Sequence, residues 1–289
     1  MHDQPAEPPF IRLGSETPAS PVVLSVPHAG RDYSPALLRS ARIPREKLEA
    51  LEDRLVDRLI WRAVADGAAA IVARTPRAEI DLNRDEREID PSTVVPPPPL
   101  RDLLQSPRTR GGLGLIPSRL AGSGSIWLHR IPQDEVRRRI EIIHRPYHTA
   151  VEQALHKAKA AFGIAILLDC HSMPPKDGAA KGAAPLIFGD RHGTSAGRDL
   201  VEAAVGAARR AGYATACNTP YAGGYVTSHH GRPAENVHAI QLEIDRSLYL
   251  AGDLRTPGPR FDDIAGLIAL IAAALAEKAS GPEQAIAAE

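Results

Sequence analysis

A single-domain α/β fold, three layers deep with helices on both faces of a mostly parallel mixed sheet, is predicted by three features of the sequence. Short apolar runs alternate with amphipathic helical stretches, and no low-complexity linker divides the 289 residues. Polar and titratable residues gather where the apolar runs end, which is where open α/β sheets carry their sites.

The elements follow in order. Residues 22–26 (VVLSV) form a short β-rich run ended by Pro27, so His28 is placed on a strand-end loop. Residues 45–66 space Leu48, Leu51, Leu55, Leu59 and Ile60 near a 3.6 period and stop at Gly67, which predicts one amphipathic helix. Residues 68–73 are a second apolar run, and residues 77–84 alternate enough to be a strand. Residues 91–125, with four consecutive prolines and several glycines, read as an insertion or lid outside the core. A long helix is expected over 133–161 and a buried central strand over 164–168, directly followed by Asp169-Cys170-His171-Ser172. Residues 185–189, a helix over 195–211, short strands at 213–217 and 238–244 and a closing helix at 261–279 complete the alternation.

Composition removes several classes of function. Lysine plus arginine equals aspartate plus glutamate at 35 each, so neither a nucleic-acid nor a membrane surface is indicated. The longest apolar stretches, such as 264–275, fall short of the roughly 20 residues that span a bilayer. Residues 1–20 lack the charged-then-apolar order of a signal peptide, and a cytoplasmic protein is expected. Only Cys170 and Cys217 are present, so any metal must be held by histidine and carboxylate.

A single loop histidine is ordinarily a surface or core residue. His28 and His171, each just past an apolar run and flanked by small residues, together point to metal ligation, because neutral imidazole is the commonest ligand of catalytic zinc. The His-x-x-Glu spacing is absent, since Arg31 stands three residues after His28. The carboxylate must come from elsewhere: Asp53 is preferred, Asp57 is second, and Glu52 lies beside them. In Asp81-Leu82-Asn83-Arg84, the amide and guanidinium suit a substrate carboxylate, although a strand-end arginine is more often structural. Alternation over 241–246 puts Gln241, Glu243 and Asp245 on one face. A sheet edge facing water would explain that, and so would Glu243 acting as general base toward a metal-activated water. Residues 222–231 read as a flexible loop able to close over substrate, with Gly224, Tyr225, His229 and His230 as contacts. Arg191-His192 carries the same weak signal, and Tyr147-His148 reads as packing.

Taken together, VPHAGRDY (26–33), EDRLVDRL (52–59), DLNR (81–84), RPYH (145–148), DCHSM (169–173), FGDRHG (188–193), PYAGGYVTSHHG (220–231) and QLEIDRSLY (241–249) resemble the N-formylglutamate amidohydrolase family. That family degrades N-formylglutamate to glutamate and formate in one branch of histidine catabolism. It is distantly similar to zinc carboxypeptidases and aspartoacylase-type deacylases, and the resemblance implies a phosphorylase/hydrolase-like α/β fold. It also implies one Zn2+, or another divalent metal, on His28 and His171. By the same resemblance, Asp53 matches an acidic position of the family's second segment, Arg84 with Asn83 is expected to hold a substrate carboxylate, and Glu243 is expected to act as base. The expected partner is a small acidic N-acyl amino acid, and no oligomeric state is assigned. The rival readings are an N-acyl-aspartate or N-succinylglutamate deacylase, a zinc carboxypeptidase, and a non-enzymatic relative that binds metal or metabolite.

Overall fold

The computed structural model describes residues 7–175 and 184–281. Seven strands form the central sheet: β1 (Phe10–Leu13), β2 (Val22–Val26), β3 (Ala69–Ala73), β4 (Ala165–Met173), β5 (Leu186–Gly189), β6 (Thr215–Cys217) and β7 (Val237–Asp245). Their spatial order is β1-β3-β2-β4-β7-β5-β6. The three pairings among β3, β2, β4 and β7 are parallel, as is β5 with β6, whereas β1 on β3 and β5 on β7 are antiparallel. The sheet is therefore mixed but mostly parallel, as the alternation of elements predicts.

Both faces of the sheet are covered. Leu24, Val26, Ile166, Leu168, Leu242 and Ile244 pack one way, against helices Val56–Leu59, Arg198–Arg210 and Phe261–Ala279. Val23, Ile71, Ala73, Leu167 and Ala239 pack the other way, against Gln133–Arg139 and Arg145–Phe162. A strand buried on both faces has no polar side to show, which is why residues 22–24 of β2 and 165–168 of β4 are continuously apolar, while the polar residues beyond them, Ser25 and Asp169, bond each other. No helix among the described residues is long and apolar enough to cross a membrane.

Several sequence expectations are corrected, and each correction bears on the site. The single helix expected over 45–66 is broken into Arg45–Leu48, Glu49–Leu51, Val56–Leu59 and Trp61–Ala65. Glu52 is extended and Leu55 adopts a left-handed φ of 62°. The interruption lets the Asp53 amide donate to the His28 carbonyl at 2.9 Å, a bond an unbroken helix would not make. Residues 77–84 are a chain of turns, not a strand. The Asp81 carboxylate accepts from the Asn83 amide and the Asp81 carbonyl from the Arg84 amide, so the backbone folds on itself.

The helix expected over 133–161 contains a wide turn at Ile140–His144. Pro146 has no N–H for the carbonyl four residues earlier, and the wider turn absorbs that loss. Residues 91–125 do not lie wholly outside the core, since Val94, Leu115 and Ile116 are buried in the second apolar cluster. Two strands also reach further than their apolar runs: β4 continues through Asp169 and His171, and β7 through Asp245. β7 is an interior strand between β4 and β5, which removes the sheet-edge explanation for its polar face.

Candidate functional site

His28 leaves β2 on a turn closed by Pro27, and His171 projects from within β4, where it sits opposite Glu243 in the ladder with β7. Asp53 is delivered between the two by the break in the helix. Each imidazole is held from behind by a carboxylate. His28 Nε2 donates to Asp81 Oδ1 at 2.7 Å, and His171 Nε2 donates to Asp169 Oδ2 at 2.8 Å. Both Nδ1 atoms turn toward Asp53 Oδ2, at 3.3 Å from His28 and 2.9 Å from His171.

The backing carboxylates are themselves fixed. Asp81 accepts from Arg77 Nε at 2.9 Å, and Asp169 accepts from Ser25 Oγ at 2.7 Å. Asp53 Oδ1 lies 3.2 Å from Ser172 Oγ and 3.4 Å from Arg246 Nη2. Burial alone would raise the Asp53 carboxyl, but the imidazoles of His171 and His28 override it and hold the group well below the usual carboxylate range. Burial works against a charged His171, yet Asp169 and Asp53 raise its pKa well above the ordinary value.

These contacts test whether the residues fit a metal ion. With Nε2 donating to its backing carboxylate, each ring turns Nδ1 toward Asp53, where the neutral imidazole would offer it to a cation and His171 would give up its Nδ1 proton in exchange; a carboxylate behind a ligating histidine is the usual outer-shell partner. Among the described residues, His28 Nδ1 is fully buried and has no hydrogen-bond partner. One donor atom from each of His28, Asp53 and His171 lies within 4.8 Å of the others. Two imidazole nitrogens and one carboxylate oxygen suit a catalytic divalent site with an open position. The alternative carboxylates are engaged elsewhere: Asp57 accepts from Arg31 Nη1 at 3.0 Å, and Glu52 accepts from Tyr33 Oη at 2.7 Å.

Glu243 stands beside this cluster on β7 and lines the same cavity, of about 800 Å³. Its Oε1 accepts from Gln241 Nε2 at 2.9 Å, and burial pushes its carboxyl up to about 7, near the pH at which a general base works best. Asn83 also faces the cavity, with Oδ1 accepting from the Val226 amide at 2.9 Å. Arg84 lines it too, but Nε donates to Leu113 O and Nη1 to Asn83 O, so the Nε–Nη fork expected to clamp a carboxylate is already engaged. Nη2 has no partner among the described residues and keeps the charge available to a ligand.

The loop carrying Asn83 and Arg84 is pinned from outside. His148 Nε2 donates to Leu82 O at 3.0 Å, and His144 Nε2 donates to Arg84 O at 2.9 Å. Tyr225, His229 and His230 belong to this pinning layer and not to the cavity wall, which corrects their expected contact with substrate. The Tyr225 ring stacks on His229, and His230 bonds His148 Nδ1 at 3.0 Å and Glu152 at 3.2 Å, on the far side of the loop. Gly224 is on the cavity wall and donates its amide to Gln241 Oε1 at 3.0 Å. A Cβ at Gly224 would fall 2.2 Å from Asn83 Oδ1. Gly224→Ala should therefore displace Asn83 and cost about 1–3 kcal/mol by overpacking, read by chemical denaturation. An unchanged midpoint would show that Asn83 is free to move.

Asp81, Asp169, Arg77 and Gln241 are site residues that the sequence reading missed. Asp169 had a usable signal, because residues two apart on a strand share a face, so Asp169 and His171 had to point the same way. Asp81 had none, since it meets His28 across 53 residues of chain.

Such an arrangement can support hydrolysis: a buried carboxylate sits between two imidazoles, each backed by a further carboxylate, and Glu243 lines the same cavity. By class, the protein is an amide-hydrolysing enzyme. The chain belongs to the N-formylglutamate amidohydrolase family, whose model matches residues 20–250. It is 29% identical over 242 residues to N-formylglutamate deformylase of Pseudomonas putida, covering 80% of this chain and 82% of that protein. It is 30% identical over 244 residues to the protein of that name from Pseudomonas aeruginosa, with the same coverage. The crystal structure of N-formylglutamate amidohydrolase from Ralstonia eutropha JMP134 matches with a TM-score of 0.86 at 33% identity, over 93% of this chain and 97% of that one.

Proposed function

We propose that the protein hydrolyses N-formyl-L-glutamate to L-glutamate and formate, with Zn2+ or another divalent ion held by His28, Asp53 and His171. The observation that carries this reading is the convergence of two Nδ1 atoms on Asp53 with Glu243 alongside. When bound, a divalent ion lowers the pKa of water toward about 7 and polarises the scissile carbonyl. Glu243 takes the proton of the attacking water on Oε2, the oxygen not engaged by Gln241. The water oxygen bonds to the formyl carbon, the C–N bond breaks, and Glu243 returns the proton to the departing nitrogen. Asn83 and Arg84 orient the substrate through its carboxylate. In this reading the chain works as one cytoplasmic amidohydrolase domain, and residues 91–125 act as a lid whose Arg108, Leu113 and Leu120 wall the cavity.

The test is turnover of N-formyl, N-acetyl and N-succinyl derivatives of glutamate and aspartate by metal-replete protein, with short peptides as comparison. Formate release from N-formyl-L-glutamate at the highest kcat/KM is expected. A higher value for an acetyl or succinyl derivative, or for a peptide, would replace the substrate assignment. The backing carboxylates give a second expectation: Asp81→Asn should lower metal affinity about 10–100-fold, because the amide no longer fixes the tautomer and basicity of His28. Competition with a chromophoric chelator measures this, and an unchanged affinity would remove Asp81 from the metal's outer shell.

A further inference from the structure

Five arginines line the cavity: Arg77, Arg84, Arg108, Arg119 and Arg246. Four of them are engaged by the protein. Arg77 bonds Asp81, Arg84 bonds two carbonyls, Arg119 Nη2 donates to Arg110 O at 2.7 Å, and Arg246 Nε donates to Ser172 Oγ at 3.0 Å. Among the described residues, the Arg108 side chain has neither a hydrogen bond nor an ion pair. Its guanidinium lies over the ring of Tyr221, another wall residue, at 5.7 Å from the centroid.

The backbone beneath Arg108 is fixed although the side chain is free. Leu113 N donates to Arg108 O at 2.8 Å while Leu113 O accepts from Arg84 Nε at 2.9 Å, so one residue ties the two arginines into a single wall. Thr109 is buried, and its amide donates to Ser106 Oγ, which in turn donates to Glu88. Burial lowers the Arg84 pKa against the pull of Asp81, and the positive charges of Arg77 and Arg108 add to the lowering. An unpaired guanidinium beside a second, largely engaged one suits a ligand that brings more than one carboxylate.

We propose that Arg108 is a specificity-determining residue that binds the side-chain carboxylate of a dicarboxylic N-acyl amino acid, while Arg84 faces its α-carboxylate. This rests on the amidohydrolase reading above and extends it to the choice of amino acid. The α-carboxylate is borne by the carbon attached to the scissile nitrogen, so it stays near the reacting centre, toward which the buried Arg84 is placed by its 3.9 Å approach to Asp81, the carboxylate behind His28. The side-chain carboxylate of glutamate lies two methylenes further out, toward the exposed end of the wall where Arg108 stands. The Tyr221 ring beneath the guanidinium limits its swing and orients it for such a contact.

The experiment compares wild type, Arg108→Ala and Arg108→Lys on N-formyl-L-glutamate and on N-formyl-L-glutamine, which has the same shape but no side-chain charge. Arg108→Ala is expected to lower the ratio of the two kcat/KM values at least about tenfold, through KM for the glutamate substrate and not through kcat. Arg108→Lys should recover part of the ratio. An unchanged ratio, or a loss shared equally by both substrates, overturns the proposal. Calorimetric binding of glutarate and butyrate to the metal-loaded proteins separates this outcome from failure of the reaction assignment. Without any turnover, a glutarate preference abolished by Arg108→Ala still supports the role of Arg108, and a preference retained by the variant refutes it.

Discussion

Glu243→Gln is expected to lower kcat on N-formyl-L-glutamate by about 10²–10⁴, the usual worth of a positioned general base, while leaving bound metal at the wild-type stoichiometry. The two parts of this expectation come from different contacts. Glu243 sits beside the candidate metal cluster and is not one of its three members, so the glutamine variant leaves His28, Asp53 and His171 intact. The amide is also nearly isosteric, and its oxygen still accepts from Gln241 Nε2 as Glu243 Oε1 does. What disappears is the oxygen able to take and return a proton.

Stability should move the other way. A carboxyl that burial has pushed up to about 7 favours folding less when it is ionised, so a neutral amide at that position holds or raises the thermal midpoint of the metal-free protein. Single-turnover kinetics with metal analysis on the same preparation gives the decisive measurement. Loss of metal together with rate would make Glu243 a ligand, and an unchanged rate would assign the proton transfer elsewhere.

Where local pattern determined the backbone, the sequence was readable. Strands β2, β4 and β7 and the helices at 145–162, 198–210 and 261–279 announce themselves through periodicity and continuous apolar runs. The break at 52–55 does not, because Leu48, Leu51, Leu55 and Leu59 keep a helical spacing straight through it. A tertiary bond from Asp53 N to His28 O and a left-handed Leu55 override that pattern, and this override is what brings Asp53 to the histidines.

The site divides in the same way. That His28, His171 and Glu243 share one end of the sheet follows from their positions at or near strand ends, whereas Asp53 joins them through the break at 52–55 and not through the helix expected there. His229 and His230 were misplaced because a histidine doublet after glycines carries chemical character but no direction. Their rings instead pack in the layer behind residues 82–84. Asp81 was visible as a residue, but the fold alone makes it a partner of His28.

His171→Ala should abolish both metal binding and hydrolysis, and should also destabilise the protein. The imidazole lies in the middle of a fully buried strand, with one nitrogen facing Asp53 and the other bonded to Asp169. Its removal takes one of three donor groups from the candidate site and leaves two buried carboxylates short of a partner. Breaking a buried charged pair on one side costs about 3–5 kcal/mol, because the remaining charge stays desolvated. Asp53→Asn supplies the control: it removes the same charge pairing from the opposite side while keeping the side-chain shape, and it should also lose metal. Both variants, dialysed against metal-free buffer and reloaded, should retain less than about a tenth of the wild-type metal and turnover, in line with loss of a first ligand from a three-donor site. A His171→Ala protein that still binds one equivalent of metal and hydrolyses N-formylglutamate would place the centre elsewhere. If that variant unfolds, the folded Asp53→Asn protein, assayed in the same way, decides the question.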